Sequence, residues 1–421
     1  MIRKLFFQGR ICDEKTEDLD SIISDIRSRQ EFLHGLRTDD IMGFFDELGK
    51  SWSKNPEIRK VGISHLADFL SRKNLTAMLD TAIRNRLALD GFVKLNEEGK
   101  FYHAQPRGLA VHWLAGNVPI LGLFSVLESA LTKNVSIVKA SSKSYRELLV
   151  LLDSFRNVNT DNVRGEDMAK TIAVILVDRD DRESNERLSM AADVRIAWGG
   201  HEAVQAIMSL RKRFSTEDII FGPKYSYAVI GKESLGESRK IAQRLAVDVS
   251  VFDQYACSSP HTVFVERGGV VSPLDFAKEL AKQLSLVSRT ILPKGEMEPG
   301  KVMDILNIKS RYEMMGEVFS SEKNEWLVVY SEEEGLAEAC FSRVVFVRPI
   351  DNAENVAMLN DRHKQTLGLS MGKERRLEFA DRATVHGIDR CPRLGQMTFF
   401  ESPWDGMFSM DRLVRWVTCY E

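Results

Sequence analysis

Cysteine is scarce in this chain and nowhere clustered. Cys12, Cys257, Cys340, Cys391 and Cys419 are odd in number and include no Cys-x-x-Cys pair. That argues against a disulfide framework or a zinc cluster and for a reducing, cytoplasmic setting. Long apolar runs are also missing. The best membrane candidate, residues 118–131, is too short and carries Glu128. The first ten residues hold charge but no sustained apolar stretch, so no signal peptide is expected. Charge of neither sign prevails: 58 basic residues face 61 acidic ones, which leaves no field to draw nucleic acid or an anionic membrane. No repeat or low-complexity segment interrupts the chain. At 421 residues it is too long for one simple core, and two or three domains are expected.

What is present falls into a charged first part and an alternating remainder. Within 14–100, apolar residues recur at helical spacing: Leu19, Ile22, Ile23 and Ile26, then Ile41, Phe44, Phe45 and Leu48. This reads as several helices forming a packing layer, with no chemistry of their own. From about Gly108 the pattern changes. Strands at 108–114, 135–140, 171–177 and 193–198 alternate with helices at 120–131, 145–155, 183–190 and 202–212. Such alternation implies βαβ units and a parallel sheet. Gly199-Gly200 falls between a strand and a helix, where a cofactor phosphate could meet a helix N-terminus. It is not Gly-x-Gly-x-x-Gly, and a glycine pair at such a turn is usually only turn chemistry.

A second α/β segment starts near Ile219. It reads as a strand at 225–230, a helix at 238–249, a strand at 262–266 and a helix at 273–286. Residues 293–323 read as polar and irregular, a flap, and are followed by strands at 325–330 and 343–347. The closing residues 387–421 are too apolar for a loose tail. Cys257 sits at the junction between the 238–249 helix and the next strand. There a thiol can meet substrate from rigid backbone, and its thiolate is a good acyl nucleophile when the surroundings lower its pKa. A lone cysteine is more often a small buried apolar residue.

Several stretches together carry a resemblance. Phe252-Asp253-Gln254-Tyr255-Ala256-Cys257 resembles the nucleophile segment of aldehyde dehydrogenases, Phe-Asn-Gln-x-x-Cys. Trp113 to Pro119, ending Asn117-Val118-Pro119, is similar to their Trp-Asn-Phe-Pro turn. Lys139-Ala140-Ser141-Ser142 resembles their Lys-Pro-Ser-Glu cofactor segment, and Phe221-Gly222-Pro223-Lys224 their Gly-Gly-Lys turn. Closer still is the acyl-CoA reductase (LuxC) branch, which His112 to Pro119, Trp198 to Val204, Phe221 to Ser226 and Gly395 to Gly406 all resemble. The likeness spans residues from about 100 to the end.

The resemblance implies a fold and a reaction. The fold would be α/β and aldehyde-dehydrogenase-like: a doubly wound Rossmann-type cofactor domain, a second α/β catalytic domain and a helical N-terminal region. The divisions would be 1–100 helical, 101–221 NAD(P)-binding, 222–390 catalytic with the nucleophile, and 391–421 returning to the cofactor domain or an oligomer interface. The site would lie in the cleft between domains. Cys257 would form an acyl-enzyme from an acyl thioester. Its backbone N–H and the Asn117 amide would hold the oxyanion, although Asn117 could equally cap the following helix. Lys139, Ser141 and Ser142 would bind the cofactor's adenosine end, and Gly199 and Gly200 its pyrophosphate.

Two departures sharpen this. Where hydrolytic relatives carry a glutamate base before the Gly-Gly-Lys turn, this chain has Ile220, so thiols rather than water should take or give the acyl group. Where a ribose-binding glutamate is common, it has Ser142. Without that carboxylate NADPH is favoured, with NADH the alternative. Glu338 stands one place out of register with the family's other ribose-binding glutamate and is given no role. The expected reaction is NADPH-dependent reduction of an acyl-CoA, or of an acyl group on a carrier or acyl-enzyme, to the aldehyde. An acyl-delivering partner enzyme and a homo-oligomer fit that reading. Rival readings are an acid-forming aldehyde dehydrogenase and an acyl-transfer protein that does not reduce.

Overall fold

The computed structural model describes every residue except 1, 57, 59–63, 97–98, 115, 117–118 and 143–144. The chain divides into two compact units. The first comprises residues 1–222 with 400–421, and the second residues 223–399.

The first unit is built on β1 (Ile2–Phe7), β2 (Arg10–Thr16), β3 (Val93–Lys94), β4 (Lys100–Pro106), β5 (Leu109–Trp113), β6 (Val135–Lys139), β7 (Ile172–Leu176), β8 (Val194–Trp198) and β9 (Glu217–Phe221). Seven of these form one sheet in the order β2-β1-β7-β6-β5-β8-β9, and β5 to β9 run parallel. β5 to β8 are apolar along nearly their whole length because helices cover both faces of a parallel sheet. The helical periodicity of the N-terminal region holds: Leu19, Ile22 and Ile26 are the buried stripe of helix Leu19–Ser28, which Asp18 caps. Ile41, Phe44, Phe45 and Leu48 are buried in helix Thr38–Lys54, where the Phe44 and Phe155 rings meet edge-on at 5.7 Å.

That region is not helical alone. β1 and β2 form a hairpin, and β1 adds antiparallel to β7. The sequence hid them because their charges pair with each other: Arg3 with Asp13 and Lys4 with Glu14. Charged edge strands of this kind resist pairing with other chains.

The second unit holds β10 (Tyr225–Ile230), β11 (Pro260–Glu266), β12 (Glu317–Ser320), β13 (Leu327–Tyr330), β14 (Val344–Ile350) and β15 (Lys364–Ser370). Their order is β12-β13-β14-β11-β10-β15, parallel except for β12. Period-two alternation splits each strand between two cores. Ala228, Ile230, Val263 and Val265 face helices Ser238–Ser250 and Pro273–Thr290, whereas Tyr227, Val229 and Phe264 face Phe379 and Ala383 of helix Lys373–His386.

Residues 293–323 are not an irregular flap. They contain helix Pro299–Tyr312 as well as β12. Only Ile305 and Tyr312 of that helix are buried, so its apolar stripe is too thin to announce it. At the end of the chain β16 (Val414–Tyr420) pairs antiparallel with β4, completing a three-stranded sheet β16-β4-β3 in the first unit.

Candidate active site

Cys257 lies where helix Ser238–Ser250 turns into β11, at the amino end of the second unit's sheet. The turn is strained. Phe252, Asp253 and Gln254 have φ of 51°, 49° and 67°, left-handed values that cost a non-glycine residue about 1 kcal/mol or more apiece. Three hydrogen bonds from the buried Gln254 amide offset part of this. Its Nε2 donates to the carbonyls of Pro260 and Val344, and its Oε1 accepts from the Val344 N–H, all at 2.8 Å. One side chain thereby ties the turn to the starts of β11 and β14.

Asp253 supplies the second tie. Its carboxylate accepts from Arg343 Nε at 2.6 Å and from the Gly295 N–H at 3.1 Å, with Lys294 Nζ 3.8 Å away. Arg343 is only 1% exposed, and its remaining donors reach Ser288 Oγ and the carbonyls of Leu292 and Pro293. The partner loop is strained in the same sense: Phe341, Ser342 and Arg343 have φ of 61°, 59° and 65°. Lys294 also donates to Ser342 Oγ at 2.6 Å. Burial lowers the Lys294 ammonium to about 8, with Asp253 opposing the fall.

Aromatic rings pack the two loops together. Tyr255 stacks on Phe341 with centroids 5.6 Å apart, and His261 meets the edge of the same ring at 5.0 Å. Burial pushes His261 down to about 4, so it is a neutral packing group at physiological pH. The Cys257 carbonyl accepts from Ser226 Oγ at 2.7 Å, which fixes the backbone at this cysteine. Cys257 as a residue is partly exposed. Burial raises the thiols of Cys340 and, to about 12, Cys391, which disfavours their thiolates. Lys294, Phe341 and Arg343 escaped the sequence reading, and Asp253 entered it only as part of the nucleophile motif, without a role. Arg343 lies ninety residues from Asp253, and no local pattern links them. For Gln254 the signal was its place in the nucleophile motif, which sequence reading left without a role.

In the first unit the parallel strands set a second candidate region. Chain order reverses between β5 and β8, and ligands of doubly wound sheets bind beyond the carboxyl ends of the strands at that switch. Lys139 ends β6, and Ser141 and Ser142 follow it, the latter exposed. Gly199 and Gly200 follow β8, and Gly200 caps helix His201–Met208. The space around Gly200 is open: a Cβ built there would meet nothing within 4 Å, so a phosphate could approach the backbone. Burial lowers the Lys139 ammonium, Asp178 opposes that, and Arg179 adds to it. Asp178 and Arg179 follow β7, next to β6, and the sequence reading gave them no part. Asn117 lies outside the described residues.

Buried polar contacts hold this sheet edge in place. Trp113 Nε1 donates to Asn185 at 3.1 Å, and Trp198 Nε1 to Ser125 at 2.7 Å. Trp198 also stacks on Phe221 at 3.8 Å. Glu128, which argued against a membrane span, is buried and accepts from Ser409 Oγ at 2.7 Å; burial raises its carboxyl to about 7. No helix among the described residues is long and apolar enough to cross a membrane.

Comparison with known proteins places this arrangement. Over 407 residues the chain is 30% identical to a long-chain acyl-protein thioester reductase of Aliivibrio fischeri, covering 91% of this chain and 82% of that one. It is 27% identical to long-chain acyl-protein thioester reductase 2 of Photobacterium leiognathi, covering 89% and 77%. Among solved structures, aldehyde dehydrogenase 21 from Physcomitrella patens superposes with a TM-score of 0.71 at 11% identity, covering 100% of this chain and 95% of that one, which shows the aldehyde-dehydrogenase fold. The model of the acyl-CoA reductase (LuxC) family matches residues 33–416, and the chain is a reductase belonging to that family.

Proposed function

We propose that the chain reduces an acyl thioester to the aldehyde by way of an acyl group carried on Cys257. In the first half-reaction the Cys257 thiolate attacks the thioester carbonyl carbon and the donor thiol leaves. The backbone N–H of Cys257 would stabilise the oxyanion in passing, and the family resemblance assigns the Asn117 amide to the same role. A reduced nicotinamide, when bound, supplies hydride to the carbonyl carbon in the second half-reaction. Cys257 then departs as thiolate and the aldehyde is released, so no further reductant is needed. Ile220 is a hydrocarbon and cannot activate water, which favours transfer between thiols over hydrolysis to the acid.

The observation that carries this reading is the placement of Cys257: a partly exposed cysteine beside a strained turn that Gln254 and Asp253 lock. Such a turn sets the nucleophile before substrate arrives, which lowers the entropic part of the barrier. The donor we favour is a long-chain acyl-protein thioester presented by a partner enzyme, in line with the names of the two curated relatives, with acyl-CoA the small-molecule substitute. For the nicotinamide we favour NADPH. Lys139, Ser141 and Ser142 would hold its adenosine end and Gly199-Gly200 its pyrophosphate. Lys139 ends one strand and Arg179 follows its neighbour, and both would attract a 2′-phosphate, while Ser142 stands where a carboxylate would repel one. Intact-mass measurement after mixing with a long-chain acyl thioester, without reductant, tests the covalent step. One acyl adduct on the native chain and none on Cys257→Ala supports it; an adduct on both places the acyl group elsewhere.

A further inference from the structure

The second unit has another ligand-sized feature, at the opposite end of its sheet from Cys257. Cys257 precedes β11 at the amino end of the parallel strands, and about 20 Å of strand separates that end from the carboxyl end. Chain order reverses between β10 and β15: β11 and β14 extend the sheet on one side of β10, and β15 joins on the other. The helix after β10, Ser238–Ser250, packs on one face, and the helix after β15, Lys373–His386, packs on the opposite face. Divergence of this kind opens a crevice beyond the carboxyl ends of the strands. Here it is a cavity of about 330 Å³, lined by Ser234 and Glu237 beyond β10, by Ser370 at the end of β15, and by four basic side chains.

Those four are Arg244, Lys373, Arg376 and Arg393. None makes a side-chain hydrogen bond or ion pair among the described residues. Their neighbour Arg375 shows the contrast: it is turned to Glu266 and Glu233 and fully paired. Gly395, with φ of 88°, leaves room for the Arg244 stem; a Cβ there would come within 3.1 Å of it. The one carboxylate in the lining, Glu237, already faces Lys240 at 3.4 Å. Four cations without side-chain partners line one crevice, Arg376 half-buried and the other three exposed, which makes it electropositive, and three are guanidinium groups, whose forked donors suit phosphate oxygens.

We propose that this crevice is a binding site for a phosphate-bearing small molecule, separate from the reaction at Cys257. Its volume is at the small end of ligand sites, enough for a diphosphate or the phosphorylated end of a nucleotide. The site is independent of the acyl-reduction proposal, because nothing in it takes part in that chemistry.

Calorimetric titration of the full chain tests this, first with pyrophosphate and then with adenosine 3′,5′-bisphosphate. The native chain should bind pyrophosphate saturably, with affinity falling as salt rises. Arg376→Gln/Arg393→Gln, at surface positions that should leave the fold intact, should weaken it at least tenfold. Lys278→Met, an exposed lysine outside the crevice and outside the cofactor region, should leave it unchanged, which shows that the loss is specific to the crevice. Tighter binding of the bisphosphate than of pyrophosphate would identify a nucleotide as the source; equal binding would identify the free phosphate group. No saturable binding to the native chain, or equal binding to native and Arg376/Arg393 variant, would overturn the proposal.

Discussion

Asp253→Ala is the perturbation that separates a locked nucleophile turn from an incidental one. In the native chain the Asp253 carboxylate is the counter-ion of Arg343, which is nearly inaccessible, and lies close to Lys294. Removing it leaves a buried guanidinium without its charge partner, a change that costs about 3 kcal/mol where one member of a buried pair is lost. The left-handed conformations of Phe252, Asp253 and Gln254 then rest chiefly on the Gln254 hydrogen bonds. Part of the loss should appear as a relaxed turn and a misplaced Cys257. Urea denaturation should show about 3 kcal/mol lost, and the rate of Cys257 acylation by a thioester should fall at least tenfold. Asp253→Asn keeps an acceptor for Arg343 Nε and restores the residue common in the nucleophile motif of aldehyde dehydrogenases. It should lose only about 1 kcal/mol and keep acylation within about threefold. If Asp253→Ala is as stable and as readily acylated as the native chain, the turn is not held by this carboxylate.

Three other changes report on different parts of the molecule. Glu266 is held down to about 2 by Arg375 and by the N–H groups of Lys232 and Ala353, against its ordinary 4.5. A depressed carboxyl contributes stability that is complete above pH 4.5 and is lost as pH falls toward 2, so the stability gap between native and Glu266→Gln chains should shrink by about 1.4 kcal/mol per pH unit in that window, read by urea titration. Gly200→Ala has open space and an ordinary φ of −68°, so its unfolding free energy should stay within about 0.5 kcal/mol of native, while NADPH binding weakens at least tenfold if phosphate approaches that backbone. Lys139→Met should raise the KM for NADPH about tenfold and leave that for NADH nearly unchanged, as steady-state kinetics with both cofactors would show.

The α/β class and most of the alternating elements could be read from the chain because parallel strands buried on both faces, such as 109–113 and 194–198, make short apolar runs between turns. Elements stabilised by something other than an apolar run escaped. β2 carries four charged residues in seven, two of which pair across its hairpin, and helix Pro299–Tyr312 buries too few side chains to show a period. The candidate site divides in the same way. Cys257 and the glycine pair stand at junctions between elements, where a residue's position in the pattern is itself informative. The Asp253–Arg343 pair, the Phe341 platform under Tyr255 and the Lys294 contact join segments far apart in sequence, and only the folded parallel sheet brings them together. The crevice with four unpaired cations was hidden for the same reason: its residues come from three separated stretches of chain.

The most direct test of acyl-thioester reduction at Cys257 is NADPH oxidation by the full chain, with long-chain acyl thioesters as substrates, product aldehyde trapped, and Cys257→Ala run alongside. A Cys257 acyl-enzyme predicts oxidation that requires the thioester, yields one aldehyde per NADPH and vanishes in the variant. Undiminished turnover in Cys257→Ala would contradict it.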